Sequence, residues 1–193
     1  MLNVISGLMA GGVSTPAVSP SYESIQTITL GSAQSAIEFT SIPNTYKHLQ
    51  IRAIAKNVTT GAADYDTLRM TVNSDTSTNY SSHYIQTQAA GSLGAAADVS
   101  KAYYYAGGLM RSGTGQSNAF TGMILDILDY SSTSKYKTFR SISGTEYNGT
   151  YAFLLLTSGA WRSTSAINSI RFFVDSGANL AQYSSIALYG IKG

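Results

Sequence analysis

The chain has no cysteine, only three prolines and two histidines, and few charges: Asp, Glu, Lys and Arg together make up 11% of its 193 residues. Without cysteine there is neither a disulfide framework nor a thiolate metal site, so stability has to come from packing and from contacts with neighbouring subunits. The net charge of +2 is scattered over single lysines and arginines. No basic block marks a phosphate-binding footprint, and nucleic acid is not an expected partner. Nor does a 3.6-residue apolar period persist long enough anywhere to specify a helix.

The opening segment, MLNVISGLMAGGVSTPAVSP, departs from the rest of the chain. It carries no Lys or Arg ahead of its apolar stretch, which is broken at Ser6 and Gly7, so it does not read as a secretory signal. It is too short and too rich in glycine to cross a bilayer, and no membrane insertion is expected. Residues 1–21 are expected to form an attachment arm, with Leu2, Val4, Ile5, Leu8 and Met9 gaining free energy by burial in a neighbouring protein. The alternative is an arm that folds back over its own domain.

What the chain does have is alternation. In KHLQIRAIAK, Leu49, Ile51, Ala53 and Ala55 share one face, and Gln50, Arg52 and Lys56 the other. YESIQTITL, SAIEF, DTLRMTVN, NYSSHYIQT, VSKAYYYAG, NAFTGMILDILDY, KYKTFRSISG, TYAFLLLTSGAW, AINSIRFFVDSG and QYSSIALYGIKG read the same way, about ten or eleven strands in all. Turn chemistry separates them at Ile42-Pro43-Asn44, Asn73-Ser74-Asp75, Gly107-Gly108 and Asp175-Ser176-Gly177-Ala178-Asn179. Residues 22–193 are therefore expected to be one all-β domain, an antiparallel β-sandwich of jelly-roll type. Its core should include Leu49, Ile51, Ile170, Phe172, Val174, Ile186 and Leu188.

The chemical inventory is thin. His48 and His83 lie beside no nucleophile motif and read as exposed or locally hydrogen-bonded. Asp126 and Asp129, or Asp64 and Asp66, would suit a metal or a glycosidase only with further carboxylates, and a turn-capping role is expected instead. No catalytic set, no metal site and no cofactor are expected. The aromatic residues are the larger resource: Tyr103, Tyr104, Tyr105, Tyr130, Tyr136, Tyr147, Tyr151 and Trp161 suit packing and interfaces, and also sugar stacking. Ala89–Ala97 and Ser112–Ser117, rich in small residues, are expected as loops. Tyr103, Tyr104 and Tyr105 between them form a candidate recognition surface for a host-surface glycan.

Four fragments, Tyr46-Lys47-His48-Leu49, Asp126-Ile127-Leu128-Asp129-Tyr130, Ser141-Ile142-Ser143-Gly144 and Leu188-Tyr189-Gly190-Ile191, carry a resemblance from about residue 40 to the end. In them the chain resembles small structural virion proteins of tailed bacteriophages. The resemblance implies a non-enzymatic protein of the virion, assembled in the host cytoplasm and present in many copies. The expected role is a tail or neck fibre or knob, docked to other virion proteins through its N-terminal arm. A capsid decoration protein is the alternative, and a carbohydrate-processing enzyme a third. A homo-oligomer is expected, with a trimer implied by what such fibres and decorations usually form.

Overall fold

The computed structural model describes residues 20–59, 66–88, 91–111, 118–146 and 152–193. The expected arm residues Leu2, Val4, Ile5, Leu8 and Met9 lie outside that set. The described chain is all-β: β1 (Tyr22–Thr29), β2 (Ala36–Phe39), β3 (His48–Asn57), β4 (Asp66–Val72), β5 (Tyr80–Gln88), β6 (Ser92–Lys101), β7 (Tyr104–Arg111), β8 (Thr121–Leu128), β9 (Lys137–Thr145), β10 (Phe153–Trp161), β11 (Ile170–Val174) and β12 (Ser185–Ile191).

Two antiparallel sheets result. The large one runs β1-β12-β3-β8-β9-β10-β5-β6 and the small one β2-β11-β4-β7. A short parallel seam joins them where Lys56 and Asn57 of β3 meet Met110 and Arg111 of β7. The core lies between the sheets, and every expected core residue is in it: Leu49, Ile51, Ile170, Phe172, Val174, Ile186 and Leu188 are all essentially inaccessible. Period-two alternation places them, since one register fixes which face of each strand is buried. The β4–β5 corner follows its turn chemistry: Asn73 and Ser74 both adopt positive φ, and the Asp75 amide donates to the Val72 carbonyl over 2.9 Å.

Four expectations need correction. Gly107-Gly108 is not a linker but the middle of β7. A Cβ at Gly107 would lie 2.8 Å from the Ser143 hydroxyl, so this glycine marks a close approach between sheets rather than a turn. Residues 92–97 are not loop but part of β6, an edge strand largely exposed on both faces, where no alternation exists to betray it. VSKAYYYAG is not one strand, because the chain turns at Ala102 and Tyr103 between β6 and β7. Lys56 does not face outward: it is 7% exposed, its amine 5.0 Å from the Phe120 ring, and burial lowers its pKa.

Beyond β8 the interior changes character. The buried face of β9 offers Ser141, Ser143 and Thr145, joined by Thr121, Thr157 and Ser82 from its neighbours. Two of these hydroxyls serve β7, the edge of the small sheet: the Tyr105 amide donates to Ser82 Oγ and the Gly108 amide to Ser143 Oγ, both over 3.1 Å, while Thr121 and Thr145 bond each other. Small polar side chains thus let β7 come close and satisfy backbone donors that an edge strand would otherwise bury unpaired.

Candidate functional site

The hydroxyl-lined interior has an apolar counterpart on the outside. Across β8, β9, β10 and β5 the register sets Ile124 opposite Ile142, Ile142 opposite Leu156, and Leu156 opposite Ile85, which faces Ala95 of β6. The neighbouring row runs Ile54, Gly122, Gly144, Leu154, Thr87, Leu93. The large side chains in these rows are 41 to 77% exposed, and Ala95, Ala97 and Gly122 leave shallow hollows beside them. Along β9, Ser141, Ser143 and Thr145 face the interior while Ile142 faces solvent, and β10 is apolar on both sides, with Phe153 and Leu155 buried and Leu154 and Leu156 exposed. Exposed apolar faces of this extent are characteristic of interaction surfaces.

A polar border flanks the face on one side. The next row reads Gln50, Asp126, Arg140, Ser158, His83, Ala97. Gln50 Nε2 donates to Asp126 Oδ1 over 2.9 Å, and Arg140 stands directly across from Asp126. His83 is exposed and lies opposite Ser158. The Ser–His juxtaposition sits on a flat ladder whose local N–H groups are engaged between strands, so it lacks convergent donors for an oxyanion. Apolar centre and polar border together match the anatomy of a protein interface.

The expected recognition tyrosines are elsewhere and face the wrong way. Tyr104 is wholly buried and Tyr105 nearly so, at 4% exposed. The Tyr104 hydroxyl is 3.4 Å from Ser141 Oγ, its ring packs against Phe139, and burial drives its pKa far above the ordinary value. Tyr105 packs edge-on against Tyr84 at 4.7 Å. Tyr103, at the β6–β7 turn, is half-buried with its ring 4.1 Å from the Arg69 guanidinium. Arg69 is itself buried, bonded to Asp175 over 3.0 Å and paired with Asp98 at 3.5 Å. The cluster is therefore a packed strut tying β4, the β6–β7 turn and the end of β11 together. Two adjacent tyrosines on a strand face opposite ways, and here β7 is covered on both sides.

The other candidates are structural too. His48 Nδ1 accepts the Asp129 amide proton at 2.9 Å, while Asp129 takes a bond from Lys135 at 2.9 Å and lies 3.6 Å from Lys47. The Lys135 bond foremost, against slight desolvation, keeps the Asp129 carboxyl below its usual range. Asp126 and Asp129 do not converge on a common site. Asp66 accepts from Asn57, Ser176 and the Thr67 amide, and Asp64 lies outside the described residues. Trp161 Nε1 donates to Asp75 over 2.6 Å, joining β10 to the β4–β5 corner, and Tyr130 is buried beneath the Pro43 carbonyl that it bonds. Tyr147 and Tyr151 lie outside the described residues, and Tyr136 is exposed. Among the described residues no three of His, Asp and Glu gather where they could hold a metal ion, and no helix is long and apolar enough to cross a membrane.

The apolar face was missed in the sequence, although it left a signal there. MILDIL and FLLL place large apolar residues at both alternate positions, which a half-buried strand does not need. No family model matches the chain, and no curated protein or solved structure matches it significantly.

Proposed function

We propose that this chain is a non-enzymatic structural protein of a tailed-bacteriophage virion, built on a jelly roll and acting through surfaces. The strand order supports the fold reading. With β5, β6, β9 and β10 set aside and the other strands renumbered in chain order, the large sheet reads 1-8-3-6 and the small one 2-7-4-5, the nesting of two Greek keys. The two hairpins set aside interlock through β10 and β5 and extend the large sheet beyond β8. The observation that carries the function is that this extension bears the apolar outer face: its inner side gives Tyr80, Phe139 and Trp161 to the core, and its outer side supplies contact surface. Coat and attachment proteins need such surface, and His48, Asp66, Asp75 and Asp129 are engaged in turns and struts.

The resemblance supports placement in a tail or neck knob, docked through residues 1–21. A specific observation favours the second placement, capsid decoration: burial of Tyr104 and Tyr105 removes the stacking rings through which a knob was to hold a host glycan. The test is to locate the labelled protein in intact particles by electron microscopy. Label on the capsid lattice selects decoration, label on the tail or portal axis selects the knob, and particles lacking the protein refute the proposal. Hydrolysis of bacterial envelope polysaccharide by the purified chain would restore the enzyme reading.

A further inference from the structure

We infer that the outer face of β8, β9, β10 and β5 is covered by a second copy of this chain, so that the added hairpins are its self-association device. This deepens the structural reading above by naming the partner of that face. Three features of the face favour a second copy as the occupant.

The first is area. Ile54, Ile85, Leu93, Ile124, Leu154 and Leu156, with Ile142 among them, together expose on the order of 700 Å². One partner in a stable interface contributes roughly 800 Å², so the apolar centre with part of its border reaches that size. The second is shape. The same face presents a ridge, Ile142, Leu156 and Ile85, and beside it a hollow floored by Ala95 and Ala97. Two copies related by a twofold axis can each seat the ridge in the partner's hollow, the self-complementarity that an isologous contact requires. The third is charge. The border carries Asp126 and Arg140 side by side, with Arg52 exposed across from Ile124, so it mixes both signs and can meet its own image with Asp126 set against an arginine.

The absence of cysteine makes the test clean. The full chain is measured by sedimentation across concentration as wild type, Ile85→Asp, Leu156→Asp and, as a control on an exposed residue of the β11–β12 connection, Tyr183→Asp. Wild type and the control should associate. Each face variant should weaken association by roughly 30-fold or more while keeping the wild-type circular dichroism. A monomeric wild type overturns the inference, as does association that survives both face substitutions. Should the aspartates unfold the chain, Leu156→Cys and Ile85→Cys serve instead: cross-linking between copies supports the inference, and no cross-linking above a Tyr183→Cys control overturns it. Failure here is separable from failure of the virion proposal, because sedimentation uses purified protein and the virion test uses particles.

Discussion

Gly190→Ala should destabilise the protein by about 2 to 4 kcal/mol, although alanine suits a strand better than glycine. Gly190 sits in β12 between Glu23 and Leu49, on the inward face with Leu188. The Tyr46 ring lies flat over it, and a Cβ at residue 190 would overlap that ring. The ring cannot swing away freely: its hydroxyl donates to Glu23 Oε2 over 2.8 Å, and Glu23 is also held by Lys192 at 2.6 Å. The Tyr46 carbonyl accepts from Ser131 Oγ over 3.1 Å, fixing the backbone from the other side. Overpacking costs about 1 to 3 kcal/mol and a strained or lost hydrogen bond about 1 more. At this chain length the melting temperature should fall by roughly 5 to 15 °C. The double-mutant cycle is decisive. With Tyr46→Ala as background the clash is gone, so Gly190→Ala should be neutral or stabilise by up to about 1 kcal/mol through the lost backbone freedom of glycine. Urea denaturation of the four proteins gives the coupling. Equal costs in both backgrounds, or no cost in the wild type, would refute the reasoning.

Tyr104→Ala should cost about 3 to 5 kcal/mol in urea denaturation, because a wholly buried ring leaves a cavity against Phe139; reduced binding to any partner without lost stability would contradict the packing role. Arg69→Met should cost about 3 kcal/mol by orphaning Asp175 and leaving Asp98 with Lys101 alone, and the loss should shrink when Asp175→Asn is combined with it, as read by thermal melts. Desolvation opposes ionisation of Asp75, but bonds from the Ser77 hydroxyl, Asn79, Trp161 and the Ser77 amide outweigh it and hold its pKa at about 2, below the ordinary 3.8. A carboxyl depressed in the fold contributes stability above its unfolded pKa and loses it as pH falls. Asp75→Asn should therefore cost about 1 to 2 kcal/mol at pH 7, after allowance for partial exposure, and the gap to wild type should close between about pH 4 and pH 2. A gap unchanged at pH 2, followed by urea midpoints, would dispose of that account.

The core was legible because it obeys one rule. Leu49 and Ile51, or Phe172 and Val174, alternate with residues that meet water, and a period of two admits one inward set. Legibility ended where strands are covered on both sides or on neither. Tyr103, Tyr104 and Tyr105 read as an accessible trio because tyrosine suits a surface, but β7, which holds the last two, pairs with β4 and is covered by the inner faces of β9 and β10, contacts far apart in sequence. Residues 92–97 failed for the opposite reason, since β6 owes its form to pairing with β5 rather than to any face. Lys137 shows the same limit: it is fully buried, with its amine on the carbonyls of Ser132, Lys135 and Thr164. Nothing in KYKTFR separates that lysine from its exposed neighbour two residues earlier.

The fragments that carry the resemblance are not scattered marks but largely one contact. Tyr46, Lys47 and His48 meet Asp129 and Tyr130, and Tyr46 covers Gly190, while the Lys47 amide donates to the Ile191 carbonyl over 2.8 Å. Three fragments far apart in the chain thus close a single corner of the sandwich. The fourth fragment, Ser141-Ile142-Ser143-Gly144, lies elsewhere, in β9, with Ser143 turned toward β7 and Ile142 toward the apolar face. That corner is built from other strands than β5, β6 and β10, which carry the self-association proposed above. Substitutions should separate accordingly: at Tyr46 or Gly190 they reduce stability, and at Ile85 or Leu156 they change association while the fold stands. A corner substitution that altered association at unchanged stability would break that division.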